Sequence, residues 1–161
     1  MDKKEFIDFK NVKEIINYAV NQYPNNVAFT IKNKNGKEIS YKKITYKDLN
    51  DDINAFGTAL LHLGLKNKRV AIIGKNRYEW ALSYITTLNG VGIAVPLDKG
   101  LPEQEIVLSL QRSKADVIIF EENMIDLMKK IREEKSTNIE TYIVMDDKKE
   151  EGFLNINDLI K

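Results

Sequence analysis

From Val70 to Phe120 the sequence reads VAIIGKNRYEWALSYITTLNGVGIAVPLDKGLPEQEIVLSLQRSKADVIIF. Three apolar runs punctuate it: Val70-Ala71-Ile72-Ile73, Val91-Gly92-Ile93-Ala94-Val95 and Val117-Ile118-Ile119-Phe120. None alternates apolar with polar residues, the pattern of strands covered on both faces. The residues from Arg77 to Asn89 read as a helix stopped by Gly90. A second helix opens with Pro102 as its first residue. It carries Glu103 and Glu105 in its first turn and Arg112 and Lys114 at its end, so its charges match the helix dipole. Apolar strands separated by helices fold economically as a parallel sheet with helices on both faces and right-handed crossovers.

The same alternation continues downstream. Met124, Leu127, Met128 and Ile131 carry helical spacing, Tyr142-Ile143-Val144-Met145 is a fourth apolar run, and Ile156 to Ile160 reads as a short helix. Upstream, Thr45-Tyr46-Lys47-Asp48 is a helix start, with Thr45 as the cap and an acidic residue three positions on. The stripe Leu49, Ile53, Phe56, Leu60 and Leu63 follows and ends at Gly64. Val12, Ile15, Ile16, Ala19 and Val20 predict an amphipathic helix stopped before Pro24. Val27 to Ile31 and Lys37 to Tyr41 read as two strands joined at an Asn35-Gly36 turn, an antiparallel hairpin at an edge or over another part of the protein. The expected fold is therefore α/β, a mostly parallel sheet with helices on both faces plus a small N-terminal antiparallel hairpin. The expected organisation is a helix and hairpin over 1–43 and repeating strand–helix units over 44–161.

Composition narrows the chemistry. The 161 residues suit one domain, and 25 Lys+Arg against 24 Asp+Glu give a net charge of +1, with no global pull toward nucleic acid. No nucleic-acid partner is expected. The runs Lys66-Asn67-Lys68-Arg69 and Lys148-Lys149 read as solvated surface, with phosphate binding as the alternative. There is no cysteine, so disulfides, thiolate nucleophiles and Cys-ligated metals are excluded; the single histidine, His62, excludes multi-His metal sites. Met1-Asp2-Lys3-Lys4-Glu5 leads into no long apolar stretch, so neither a signal peptide nor a transmembrane segment is expected, and a cytoplasmic location fits.

A doubly wound sheet invites a search for nucleotide motifs. The first strand–helix turn, Ile73-Gly74-Lys75-Asn76-Arg77, is neither a G-x-G-x-x-G nor a P-loop. Lys75 and Arg77 read as a charged turn, with anion binding at the following helix as the alternative. No G-x-S-x-G is present, and Ser40, Ser83, Ser109, Ser113 and Ser136 have only His62 as a base. His62, beside Leu60, Leu61 and Leu63, reads as a capping or half-buried residue. Glu121-Glu122 and Glu133-Glu134 point different ways on a helix and form no acid/base pair. Asp146-Asp147 reads as a turn-forming pair, with cation contact as the alternative; Trp80, Tyr84 and Leu88 read as core rather than a ligand platform. No catalytic, cofactor-binding or metal residue is assigned.

Motifs in series then point to a family. Ile44-Thr45-Tyr46-Lys47-Asp48-Leu49, Gly64-Leu65, Arg69-Val70-Ala71-Ile72, Asn76-Arg77-Tyr78-Glu79-Trp80, Gly90 to Leu97, Leu101 to Ile106 and Ser113-Lys114-Ala115 occur in this order. Together they resemble the N-terminal part of the AMP-binding acyl-adenylate-forming synthetase/ligase superfamily. Asn76 to Trp80 resembles the NRPEW of its long-chain fatty acyl-CoA synthetase branch, with Tyr78 in place of Pro, while Asn67-Lys68 replaces a usual Gly-Asp. The resemblance implies a parent enzyme that uses ATP, Mg²⁺ and CoA to convert a fatty acid to acyl-CoA, AMP and pyrophosphate through an acyl-adenylate. That family's phosphate loop, adenine and ribose motifs and catalytic lysine match nothing in these residues. The resemblance therefore implies an N-terminal piece, inactive alone and binding none of these cofactors itself, whose partners are the rest of the ligase or a second copy covering exposed apolar surface. A stand-alone ligand-binding module or a protein-interaction module is the alternative.

Overall fold

The computed structural model describes residues 7–161; the reading of Met1 to Glu5 lies outside the described residues. Helix α1 (Val12–Gln22) is followed by the hairpin β1 (Val27–Asn35) and β2 (Glu38–Thr45), then by α2 (Tyr46–His62). Next come β3 (Lys68–Ile73), α3 (Tyr78–Thr86), β4 (Gly92–Leu97), α4 (Glu103–Ser113) and β5 (Val117–Phe120). The chain closes with α5 (Ile125–Glu134), β6 (Thr141–Val144), β7 (Leu154–Asn155) and α6 (Ile156–Leu159). Two sheets result: the antiparallel β1–β2 pair, and a five-stranded sheet in the order β4-β3-β5-β6-β7, parallel at every pairing. Among the described residues no helix is long and apolar enough to cross a membrane.

The apolar runs sort onto the two faces by parity. Val70, Ile72, Val117, Ile119 and Ile143 pack with Leu49, Ile53, Phe56 and Leu60 of α2, Leu82 of α3 and Ile156 of α6. Ala71, Ile73, Ile118, Phe120 and Val144 pack with Ile106 and Leu110 of α4 and Met128 and Ile131 of α5. Adjacent side chains of a strand point to opposite faces, so an uninterrupted run supplies both cores. Fully burying each of the larger of these side chains (Val, Leu, Ile, Phe or Met) contributes about 1.5–3 kcal/mol.

Local chemistry fixes the joints. The Thr45 side chain accepts from the Asp48 N–H and the Asp48 carboxylate accepts from the Thr45 N–H, the reciprocal box that starts α2. Gly64 follows with φ +76°, the left-handed end expected of it. Gly92 solves a different problem. A Cβ there would lie 2.1 Å from the Lys68 backbone oxygen, so only glycine lets β4 approach β3 this closely.

Several expectations shift in detail. The hairpin register pairs Asn35 with Glu38, so the turn residues are Gly36 and Lys37 rather than Asn35 and Gly36. Gly36 alone takes the positive φ, +60°, at the first central position, where a primed two-residue turn accepts glycine. The helix expected from Arg77 to Asn89 ends its α-helical part at Thr86 and continues as a π-helical turn over Thr87–Val91, with Gly90 at φ +120°. Pro102 caps α4 from outside, with ψ 150°, instead of serving as its first residue. A fifth strand, β7, joins the four expected. β4 is not covered on both faces: it is a sheet edge with Ile93 54% exposed, and Pro96, which lacks an N–H, belongs to that edge strand. Leu63 leaves the buried stripe and is exposed.

Candidate functional site

Counted within the large sheet, the strands lie in the order 2-1-3-4-5. β4 adds on one side of β3 and β5 on the other. After β3 the chain enters α3, on the face of α2; after β5 it enters α5, on the opposite face. The two loops diverge and leave a crevice at the carboxyl ends of the strands, where open α/β sheets place their ligands. Its volume is about 320 Å³, and its lining includes Lys75, Asn76, Arg77, Glu121, Glu122 and Asp146.

The protein's own side chains fill this crevice. Glu121, directly after β5, is buried, and its Oε1 accepts the Lys75 N–H at 2.8 Å. A Cβ on Gly74 would sit 2.9 Å from the Glu121 Cγ, so the glycine lets the loop close over the carboxylate. Arg77 reaches Glu79 at 2.6 Å and Asp146, which follows β6, through its other arm. Burial opposes the charge on the Arg77 guanidinium, but the bonds to Glu79 and Asp146 outweigh it and raise its pKa further above the ordinary value. Asp146 also accepts the Glu122 N–H at 2.7 Å, and the Asn155 amide donates to the Asp146 and Lys148 carbonyls. The loops after β3, β5 and β6 are thereby tied together, with β7 joined to the last of them.

The charge balance decides what this clasp can do. Arg77 spends two donors on the Glu79 and Asp146 carboxylates, and Glu121 takes the Lys75 backbone N–H. Arg77 is thereby neutralised by its acidic partners, whereas the Lys75 ammonium forms no ion pair among the described residues. Among the described residues no group of three metal-ligating side chains converges. These contacts close the loops over the switch point around Arg77 and Glu121.

The remaining candidates lie apart. His62 stands at the last turn of α2 and is exposed, not half-buried. Asp147 accepts from the Asn157 side chain at 2.8 Å, so the Asp146-Asp147 pair holds protein groups. The Ser83 hydroxyl donates to the Glu79 carbonyl within α3, and the Ser113 hydroxyl to the Leu110 carbonyl. Trp80 and Tyr84 stack at 5.4 Å and 13°, half-buried at the margin of the core rather than inside it. Tyr78, beside them, is buried. Its hydroxyl donates to Asp52 of α2 at 2.5 Å, and its ring meets Phe29 of β1 edge-on. Burial first, then the bond to Asp52, pushes the Tyr78 phenol well above its ordinary range.

At the opposite end of the strands, Asp116 joins β3 to β5. It accepts from the Arg69 N–H at 2.8 Å and from the Lys68 ammonium at 3.1 Å. Desolvation works to raise its carboxyl, and those two bonds overcome it and hold the pKa below the usual 3.8. Sequence reading placed Glu121 on a helix, whereas it is extended backbone directly after β5, and it missed Asp116. The available signal was position: each flanks a strand whose four residues are all buried.

Comparison with known proteins agrees with the fold. The rat long-chain-fatty-acid–CoA ligase 5 is 29% identical over 111 residues, which is 66% of this chain and 16% of that protein. Fatty acyl-CoA synthetase A of Dictyostelium discoideum is 33% identical over 112 residues, again 16% of its length. The chain thus spans about a sixth of the curated relatives it matches. Among solved structures, the anthranilate CoA ligase AuaEII in complex with anthranoyl-AMP superposes with a TM-score of 0.80 at 22% identity, covering 99% of this chain and 29% of that one. The profile of the AMP-binding enzyme family matches residues 16–159, nearly the whole length, and the chain belongs to that family.

Proposed function

We propose that this chain is the N-terminal part of an AMP-forming acyl-CoA ligase whose substrate is a fatty acid. The family match over residues 16–159 carries the reading, and the fatty acyl-CoA ligases among its relatives support the substrate class. In the reaction, a carboxylate oxygen attacks the α-phosphorus of ATP and pyrophosphate leaves. The acyl-adenylate so formed has AMP as a good leaving group, which the thiolate of CoA displaces.

The residues present do not fit ATP and Mg²⁺. At the switch-point crevice the Arg77 guanidinium is already bound to two carboxylates, and Glu121 holds the Lys75 backbone N–H that a phosphate would use. No step is assigned to these side chains, and the chemistry belongs to other parts of the ligase. The domain reading is part of the same proposal: a helix and hairpin over 1–43, and strand–helix units over 44–161 that serve as scaffold. Exposed Leu61 on α2, Leu63 just past its end and Ile93 on β4 are the faces that the rest of the ligase, or a second copy, covers. A cytoplasmic location accords with a sequence free of cysteine.

The test is ATP–pyrophosphate exchange stimulated by fatty acid. The 161 residues alone stay at background, and a ligase chain containing them shows exchange with long-chain fatty acids. Exchange by the 161 residues alone overturns the scaffold reading. A longer chain that responds to another carboxylic acid and not to fatty acids overturns the substrate.

A further inference from the structure

The register of the hairpin exposes a pattern that the linear sequence hides. Phe29, Ile31 and Ile44 turn toward the core, and their neighbours form the opposite face. That outer face carries the cross-strand pairs Thr30 with Lys43, Lys32 with Tyr41, and Lys34 with Ile39. All six residues are exposed, Tyr41 at 62% and Ile39 at 52%. From Val27 to Thr45 the chain has five lysines against one glutamate, a net charge of +4, in a protein whose total is +1. The glutamate, Glu38, falls on the other face. Among the described residues none of the five lysines forms an ion pair.

We propose that this face docks on an anionic lipid bilayer, with Lys32, Lys34 and Lys43 against the headgroups and Ile39 and Tyr41 in the interfacial layer. Charge complementarity selects an anionic partner: a lysine held at such a surface strengthens binding roughly fivefold. The two apolar side chains select lipid over nucleic acid. Tyrosine favours the boundary between headgroups and acyl chains, and lysine stems lie along apolar surface while their charges stay in water. An exposed isoleucine between lysines adds nothing on a phosphate backbone, where binding is electrostatic and salt-dependent. The hairpin holds this face on a twisted two-stranded ribbon anchored to the core through Phe29, so the five side chains are presented together. The proposal goes beyond the ligase assignment and stands on the hairpin alone.

The experiment is co-sedimentation of the full chain with vesicles of phosphatidylcholine, with and without about a third phosphatidylserine, at several salt concentrations. The expected result is capture by the anionic vesicles only, weakened by salt. The triple variant Lys32→Glu, Lys34→Glu, Lys43→Glu loses at least about a hundredfold in affinity. Ile39→Ser with Tyr41→Ser loses several-fold and keeps its residual salt dependence. Circular dichroism on both variants confirms that the fold is intact. No capture of the wild type by anionic vesicles overturns the proposal. So does equal capture of wild type and triple variant, or binding to single-stranded DNA that matches vesicle binding and ignores Ile39 and Tyr41. Vesicle binding and pyrophosphate exchange are separate readouts, so either reading can fail without the other.

Discussion

The hairpin and the five-stranded sheet use similar residues to opposite ends. In β5 all four side chains are buried; in β2, twice as long, only Ile44 is. The sheet lies between two layers of helices, so its central strands are buried along their apolar runs, from Val70 to Ile73 in β3 and throughout β5. The hairpin is covered on one face only near Phe29, Ile31 and Ile44, and its outer face keeps lysines, Tyr41 and Ile39 in water. Strand propensity sets where β structure forms, and the number of covered faces sets what each side chain contributes to stability.

The strongest way to break this contrast is to hollow the core. Phe56→Ala, at a fully buried position of α2, costs about 3–5 kcal/mol in urea unfolding. A loss under 1 kcal/mol would mean that the α2 face is not the core it is described to be. Tyr78 tests the joint between the regions, since it touches Phe29 of the hairpin and Asp52 of α2. Tyr78→Phe leaves the ring packing and removes the donor, a loss of about 1–2 kcal/mol by the same measurement. Recovery of that stability in a double variant with Asp52→Ala would assign it to the single bond; strict additivity would rule the bond out as its source.

Asp116 sharpens the comparison from the sheet side. Its pKa in the folded chain lies below the ordinary 3.8, so its contribution is complete above that value and is lost as pH falls through the lower folded value. Asp116→Asn therefore costs about 1 kcal/mol at pH 7, and variant and wild type converge in strong acid. A gap unchanged between pH 7 and pH 2 would show that the carboxylate charge is not what holds β3 to β5. The smallest effect belongs to the hairpin surface: Ile39→Ala stays within about 0.5 kcal/mol in thermal unfolding. A larger loss would place Ile39 against the protein instead of in solvent.

Legibility followed the range of the interactions. The box at Thr45 and Asp48 spans three residues, and the helical stripe of α2 spans about three turns; both could be read directly, except that Leu63 falls past the helix end into solvent. β7 could not be read, because two residues carry no period and their place is set by pairing with β6. The two cations of the crevice were visible as a charged turn. The acidic groups that meet this turn were not, because Glu121 is 46 residues from the Lys75 backbone N–H it accepts and Asp146 is 69 from Arg77. The same holds for the basic face of the hairpin. Its lysines are interrupted in sequence and are gathered only by a register that turns at Gly36 and Lys37.

The order of strands also carries a kinetic consequence. Val70 in β3 meets Ala94 of β4 across 24 residues, but meets Val117 of β5 across 47. The edge of the sheet can therefore close before its centre does, and β4 must wait beside β3 while β5 is still being found. Closing the longer loop costs only about 0.6 kcal/mol more for this doubling, so the delay is short. During it, β3 has one free edge at the position where β5 will lie, and the unfilled slot between them is the vulnerable feature of the folding chain.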